Sequence, residues 1–242
     1  MSENPWIDAC IVGEGEITFS ELTDNNLNFK ITDGVIFREN GRIYENPPQK
    51  QIEDISTIPF PYTDEEMKSL SGKLIYYESS RGCPFNCSYC MSSTVSGVRY
   101  RDLELVKKEL KFFIDNNVKI VKLTDRTFNA NPKRVYEIFK YLIGLRASTT
   151  FHFEIAAHIL NDETIELLKT APKNLFQFEI GVQSTNPDTI RAINRTTDFK
   201  RVCSAVKKVL ALKSIHVHLD LIAGLPFEDF NSFKKSFCDV FS

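Results

Sequence analysis

Strand-like and helix-like segments alternate without a break from residue 73 to the end of this chain. Apolar runs rich in β-branched and aromatic residues predict five strands, and each is followed by apolar residues at helical spacing. The predicted strands cover residues 74–78, 118–123, 151–156, 175–182 and 217–222. Strict alternation of this kind favours a parallel sheet with right-handed crossovers and helices on the outside.

Two parallel architectures satisfy this alternation. A doubly wound sheet usually carries a Gly-rich phosphate loop after its first strand. A TIM-like barrel instead gathers its functional groups at the carboxyl ends of its strands. Here the turn after residues 74–78 carries three cysteines, so we expect the barrel. A full barrel has eight units in about 250 residues. The five units within residues 73–242 therefore predict a partial TIM-like barrel, truncated after the fifth β/α unit.

Residues 1–72 have a different character. Residues 34–38 and 42–44 predict two strands, and Asn40-Gly41 between them is a strong hairpin signal. This part of the chain holds too few apolar residues for a large independent core. We expect a small αβ segment ahead of the barrel domain.

The composition excludes several classes of protein. Hydrophobic residues make up 42% of the 242 residues and charged residues 26%, which is typical of a globular domain. The formal charge is −2 and no long basic run is present, so we expect no nucleic-acid partner. The sequence has neither an apolar run of about 18 residues nor an export leader, so we expect no membrane span and a cytoplasmic location.

Three of the six cysteines, Cys83, Cys87 and Cys90, lie in one loop with the spacing C-x3-C-x2-C. In a reducing compartment such a cluster favours metal ligation over disulfides. Ordinary [4Fe–4S] clusters take four thiolates, so three would leave one iron open for chemistry. Zinc is the alternative metal, but structural zinc takes four ligands and no fourth Cys or His lies nearby in sequence.

The segment Ser80–Cys90, with an aromatic residue before its last cysteine, resembles the radical S-adenosylmethionine (SAM) superfamily. Its flanking residues are similar to the members that carry a cobalamin-binding domain. Gly13–Glu16 resembles the element that ends that domain, and Ile58–Tyr62 resembles the usual linker. By this resemblance, residues 1–72 are the remnant of a cobalamin-binding-type domain plus a hairpin and linker. No Asp-x-His-x-x-Gly segment is present, so we expect no cobalamin binding by this chain alone.

The resemblance implies a cofactor chemistry, with the protein supplying orientation and exclusion of competing reactions. The three cysteines would hold a [4Fe–4S] cluster, and SAM would chelate the open iron. One electron from a flavodoxin- or ferredoxin-type donor would cleave SAM to methionine and a 5′-deoxyadenosyl radical under anaerobic conditions. That radical would serve methylation, cyclisation or related C–H chemistry on a substrate that the sequence does not identify.

The resemblance also implies SAM contacts, residue by residue. Tyr89 would lie near the adenine. Thr124 and Asp125 stand where the family has a Gly-Gly-Glu-like motif that holds the SAM amino group. Glu154 and Gln183 resemble SAM-contacting residues of the oxygen-independent coproporphyrinogen oxidases.

Three later residues complete the implied SAM set. Arg195 would pair with the SAM carboxylate, since a guanidinium suits bidentate recognition. Asp220 would bind SAM, and the backbone at Ala223 would approach the adenine. Structural hydrogen bonding is the alternative for the polar residues, and for Asp125 it would be a bond within its loop. His158, just beyond a strand, is a candidate to face the substrate.

Other functions stay open at this point. A coproporphyrinogen-dehydrogenase-like oxidase is favoured by Gln183, Arg195 and Asp220. A methylthiotransferase would need three further N-terminal cysteines, where only Cys10 is present. A non-catalytic iron–sulfur electron-transfer module would usually close its cluster with a fourth cysteine. Cleavage of SAM separates the enzymes from the electron carrier.

Overall fold

A computed structural model describes residues 1–94 and 97–241 of the protein. Its contacts divide the chain into two compact units, residues 1–58 and 59–242. The sequence places the domain boundary near residue 72, whereas residues 59–72 belong to the second unit because Phe60, Tyr62 and Met67 pack in its core. The origin of residues 1–72 in a cobalamin-binding-type domain stays a prediction.

The first unit contains a small antiparallel sheet, one α-helix and two short 3-10 helices, Phe29–Ile31 and Ile55–Thr57. In chain order its elements are β1 (Ala9–Ile11), α1 (Gly15–Asp24), β2 (Val35–Glu39) and β3 (Arg42–Glu45). Strand β2 lies between β1 and β3. The predicted hairpin is present, and its turn residues Asn40 and Gly41 have φ values of 48° and 77°. Positive φ at both positions is the requirement of the tight turn that joins twisted strands.

The second unit holds the remaining elements. Its strands are β4 (Leu74–Tyr77), β5 (Ser80–Gly82), β6 (Val98–Tyr100), β7 (Ile120–Leu123), β8 (Thr150–Glu154), β9 (Phe176–Gln183) and β10 (His216–Leu221). Its α-helices are α2 (Asp64–Ser69), α3 (Leu103–Asp115), α4 (Pro132–Leu145), α5 (Asp162–Leu168), α6 (Pro187–Ala192), α7 (Phe199–Leu210) and α8 (Phe230–Phe241).

Five of these strands form one parallel sheet in the order β4–β7–β8–β9–β10. Each strand therefore pairs with the next parallel strand along the chain. A doubly wound sheet would instead reverse its order at a switch point. The sequential order confirms the predicted α/β fold, a partial TIM-like barrel.

The two faces of this sheet differ in chemistry because side chains alternate along each strand. On one face, the phenylalanines of β8 and β9 pack against α4, where Phe139 lies 4.8 Å from Phe176 and 5.2 Å from Phe153 between ring centroids. The other face carries partly buried polar residues, among them His152 and Glu179. Parallel sheets are usually apolar on both faces, so this polar face distinguishes the interior of the partial barrel.

Local sequence signals fix the starts of the helices. Asn131 caps α4 through a hydrogen bond from the backbone N of Arg134, with Pro132 at the first helical position. Asn186 and Pro187 open α6 in the same way. Both helices begin with an Asx cap followed by proline, a combination that satisfies the free end of a helix.

A two-stranded antiparallel ribbon, β5 with β6, was not predicted. It pairs Gly82, the residue before the first cysteine of the loop, with Val98. Gly82 has a φ of 104°, and a Cβ there would collide with the backbone oxygen of Gly97. Only glycine suits this position. The ribbon therefore fixes the position of the backbone directly before Cys83.

In the part of the chain that the structure describes, no helix is both long and apolar enough to cross a membrane.

Candidate functional site

A cavity of about 230 Å³ lies at the carboxyl ends of the strands β7 to β10. This is the edge at which barrel folds place their functional groups. The cavity brings together most of the residues that the sequence predicts for the site: Cys83, Cys87, Tyr89, Cys90, Glu154, Gln183, Arg195 and Asp220.

The cysteine loop is tethered to the segment after α6. The backbone N of Ser88 donates to the carbonyl of Ile193 at 2.9 Å, and Asn194 Nδ2 donates to the carbonyl of Asn86 at 2.8 Å. Cys87 is buried, and its two partner cysteines are partly buried. All three thiols are free, so they are available as ligands.

Arg195 connects the cysteine loop to strand β9. Its Nη1 donates to Tyr89 Oη at 3.2 Å and lies 3.6 Å from Cys87 Sγ, while Nη2 donates to the carbonyl of Gly181. Its buried Nε has no hydrogen-bond partner among residues 1–94 and 97–241. One donor of this guanidinium is therefore left for a ligand.

Gln183 ends strand β9 in an unusual conformation. Its φ is 70°, and the pairing of β9 with β10 shifts register between Asp220 and Leu221. Gln183 Oε1 is buried and lacks a hydrogen-bond partner within the described part of the chain. A side chain at Gly181 would collide with the Gln183 amide, so glycine at this position leaves room for that amide. A buried acceptor without a partner is costly unless a ligand satisfies it.

A row of charged groups lies beside this cavity on the polar face of the sheet. Lys122 Nζ donates to Glu179 Oε2 at 2.8 Å and lies 3.9 Å from Glu154 Oε1. His152 Nε2 lies 2.9 Å from the same Glu179 oxygen. Burial would raise the pKa of Glu179, but hydrogen bonds and charge from Lys122, and then from His152, together outweigh burial, and the pKa is lowered. Glu179 is therefore an anion that lines the cavity and also contacts Lys122 and His152 on the polar face of the sheet.

The other two carboxylates of the cavity are shifted in the opposite direction. Burial, followed by the charge of Glu179, raises the pKa of Glu154 and of Asp220. Burial also raises the pKa of Tyr89. Partly desolvated carboxylates of this kind favour a cationic partner, because the partner stabilises their charged form.

Three residues of the predicted set do not line the cavity. The Asp125 carboxylate is buried and accepts hydrogen bonds from Ser79 and Ser80. Thr124 bonds to the carbonyl of Tyr77, and Ala223 lies exposed in the turn after β10. For Asp125 this geometry corresponds to the structural alternative, a hydrogen bond at a loop. The roles of all three in SAM binding stay predictions. His158, the substrate candidate, packs against the ring of Phe85 at 5.4 Å.

Several residues of the cavity were not identified from the sequence. Glu179 and Gly181 share the strand face of Gln183, so the two-residue period of β9 contained the signal for both. Arg126 and Thr127 come from the loop after β7, and Thr127 Oγ1 lies 3.3 Å from Cys83 Sγ. No local pattern marks that contact, because 44 residues separate the two.

The donor set fits a [4Fe–4S] cluster. A cubane bonds each of three thiolates to a different iron and leaves the fourth iron open. Across residues 1–94 and 97–241, no three His, Cys, Asp or Glu side chains are grouped as ligands of a single metal ion. A cubane does not require such a group, since its thiolates bond separate irons. Gln183 Oε1 and Arg195 Nε, which lack partners among the residues that the structure describes, fit a polar ligand beside it.

The sequence profile of the radical SAM superfamily matches residues 77–237. The chain is a radical SAM protein. The predicted membership is thereby confirmed, and the matched range covers the cysteine loop and all five parallel strands of the sheet except the first three residues of β4.

Relatives of this radical SAM protein include methyltransferases. An uncharacterized methyltransferase of Pyrococcus horikoshii is 30% identical over 240 residues, with 94% of this chain and 51% of the relative covered. The cobalamin-dependent radical SAM methyltransferase TokK of Streptomyces tokunonensis is 27% identical, with 97% of this chain and 37% of TokK covered.

A solved structure has the same fold. The cobalamin-dependent SAM radical enzyme OxsB, with aqua-cobalamin and SAM bound, superimposes with a TM-score of 0.73 at 19% identity. The match covers 93% of this chain and 35% of OxsB. This radical SAM protein thus spans between about a third and a half of the length of these relatives.

Proposed function

We propose that this radical SAM protein holds a [4Fe–4S] cluster through Cys83, Cys87 and Cys90 and binds SAM beside it. One observation carries the proposal: the three cysteines line the same cavity as Gln183 and Arg195, whose buried Oε1 and Nε have no hydrogen-bond partner within the described residues. When bound, the cluster and SAM supply reductive cleavage to methionine and a 5′-deoxyadenosyl radical.

The residues of the cavity bind and orient SAM in this proposal. Arg195 is already held by Gly181 and Tyr89, so its guanidinium is pre-organised to meet the SAM carboxylate. Gln183 Oε1 accepts a hydrogen bond from SAM. Glu154 and Asp220 face the positive charges of SAM, which lower the cost of their partial burial. Tyr89 packs near the adenine.

The reaction class that we propose for the whole protein is methyl transfer, with cyclisation as a related outcome. The support is the similarity to methyltransferases, one of which is named as cobalamin-dependent. We do not assign cobalamin binding to this chain alone. A flavodoxin- or ferredoxin-type donor would provide the electron. We propose a small-molecule substrate.

The test begins with anaerobic reconstitution with iron and sulfide, followed by reduction in the presence of SAM. We expect about four irons per chain and formation of 5′-deoxyadenosine. Cys87→Ser should lose both, because it removes one of the cluster thiolates. Cys203→Ser is the matched control, since this partly buried cysteine of α7 lies outside the cavity. Zinc without iron in the wild-type protein would exclude the proposal.

A coproporphyrinogen-dehydrogenase-like oxidase is the second candidate. Its support is the joint presence of Gln183, Arg195 and Asp220 in the cavity. The two reactions differ in the fate of the methyl carbon of SAM. A methyltransferase transfers the SAM methyl group to its product, whereas an oxidase leaves that group in methionine. The protein is incubated with candidate substrates, cobalamin and SAM that carries an isotope label in its methyl group. Label in the product indicates a methyltransferase, and label retained in methionine indicates an oxidase.

An iron–sulfur electron-transfer module is the non-enzymatic alternative. It would hold the cluster but would not form 5′-deoxyadenosine. Gln183 and Arg195 each have a buried polar atom without a partner in the described part of the chain, and this favours the enzyme because an electron carrier needs no second ligand there.

A further inference from the structure

Thr127 is a buried residue of the loop after β7, and its hydroxyl meets the first cysteine of the cluster loop. The side chain is 5% exposed, and Oγ1 lies 3.3 Å from Cys83 Sγ. Either atom can donate while Cys83 is a thiol. Once Cys83 is a thiolate ligand it has no proton, so only the Thr127 hydroxyl can donate.

Two anchors fix the position of Thr127 within its loop. Two residues before it, the buried Asp125 accepts hydrogen bonds from Ser79 and Ser80. Two residues after it, Asn129 exchanges hydrogen bonds of 2.9 and 2.8 Å with the backbone of Ala156. The hydroxyl is therefore held in place rather than free to turn toward water.

A second acceptor competes for the same proton. The carbonyl of Arg126 lies 2.8 Å from Thr127 Oγ1. A charged sulfur attracts the hydroxyl proton more strongly than a neutral carbonyl does, so thiolate formation shifts the bond toward Cys83.

We propose that Thr127 is a positioning residue that donates a hydrogen bond to the Cys83 thiolate and raises the reduction potential of the cluster. The inference rests on the proposed function, since it assumes that Cys83 ligates a [4Fe–4S] cluster. Reduction adds negative charge to the cluster and its sulfurs, so a fixed donor stabilises the reduced form more than the oxidised form. Hydrogen bonds to the sulfurs are among the factors that set the potential of such clusters.

The test is a redox titration of the reconstituted protein without SAM, followed by electron paramagnetic resonance. Thr127→Val removes the hydroxyl and keeps a side chain of similar shape. We expect the ratio of reduced to oxidised cluster at a fixed potential to fall about tenfold, a shift of about 59 mV to more negative values for one electron. Thr127→Ser retains the hydroxyl and should stay close to the wild-type potential.

Two further variants keep the test decisive. Thr189→Val is the matched control, because it removes another buried hydroxyl, one that donates to the carbonyl of Pro226. Thr127→Ala removes the hydroxyl without a branched side chain. Equal potentials in the wild-type protein and both Thr127 variants that lack the hydroxyl would overturn the inference and leave the proposed function intact.

Iron content separates the remaining outcomes. A wild-type protein that holds no cluster would overturn the proposed function and the inference together. A cluster lost in both Thr127→Val and Thr127→Ala but kept in Thr127→Ser would make the hydroxyl a requirement for assembly. That result would overturn its role in setting the potential.

Discussion

The carboxylate of Asp125 accepts two hydrogen bonds from Ser79, one from the backbone N at 2.8 Å and one from the hydroxyl at 2.6 Å. A third comes from the Ser80 hydroxyl at 2.6 Å. Asp125 is 1% exposed, and both serines are buried. These bonds join the loop after β7 to β5, the strand that leads into Cys83.

Asp125→Ala should destabilise the second unit and disturb the cysteine loop. It leaves buried donors of Ser79 and Ser80 without an acceptor, and each orphaned donor costs about 1–3 kcal/mol. Three such donors predict a loss of at least about 3 kcal/mol in the free energy of unfolding, measured by chemical denaturation, with reduced iron after reconstitution. Asp188→Ala, at an exposed position, is the control. Full stability and iron with loss of SAM binding would instead support the SAM role predicted from the sequence.

Arg101, directly after β6, and Glu109 of α3 form a buried ion pair. Arg101 donates from Nε at 2.8 Å and from Nη2 at 2.7 Å, and the Tyr77 hydroxyl also donates to Glu109. Arg101→Ala leaves the Glu109 charge buried without its guanidinium, and breaking a buried pair costs about 3–5 kcal/mol. Tyr77→Phe should cost less, about 1.5 kcal/mol, because it removes a single hydrogen bond to a charged group.

Chemical denaturation of both variants measures this difference. Arg191→Ala is the matched control, since Arg191 forms an exposed ion pair with Asp188. Exposed pairs contribute about 0–1 kcal/mol. An Arg101→Ala loss as small as that of the control would show that the buried pair has little net effect on stability.

His152 should make the stability of the protein depend on pH. Burial, followed by the charge of Lys122, lowers its pKa below the usual 6.5, and this outweighs the opposing effect of Glu179. The unfolded chain therefore binds a proton more readily than the folded chain, so stability is lost as pH falls through the unfolded value near 6.5. His152→Gln should reduce the drop in melting temperature between about pH 7.5 and about pH 5.5. An undiminished drop in His152→Gln would assign the effect to other groups.

Arg195→Lys should weaken SAM binding while iron content is retained. A lysine carries the same charge but lacks the planar guanidinium. It therefore cannot donate to the SAM carboxylate, Tyr89 and Gly181 at the same time. Loss of a charge-assisted hydrogen bond predicts about 10- to 100-fold weaker binding, measured by equilibrium dialysis of the reconstituted protein. Arg191→Lys, in the same part of the chain but exposed, should bind SAM like the wild-type protein. Equal affinity for Arg195→Lys would remove Arg195 from the proposed SAM site.

The sequence by itself determined the features that local patterns encode. Strand and helix periods placed the parallel strands, because side-chain alternation depends on neighbouring residues. The spacing of Cys83, Cys87 and Cys90 identified the family, and the profile match over residues 77–237 confirmed it. The strand-to-helix alternation also gave the barrel, whose sequential strand order the structure shows.

The tertiary structure decided which partner each polar group takes. Asp125 lies 46 residues from Ser79, and Glu179 lies 57 residues from Lys122, so no local pattern could pair them. The register of the parallel strands brings Glu179 beside Glu154, and the loop after β7 brings Thr127 to Cys83. A side chain's hydrogen bonds depend on atoms that folding brings within about 3 Å, and that proximity is a property of the packed chain rather than of its residue order.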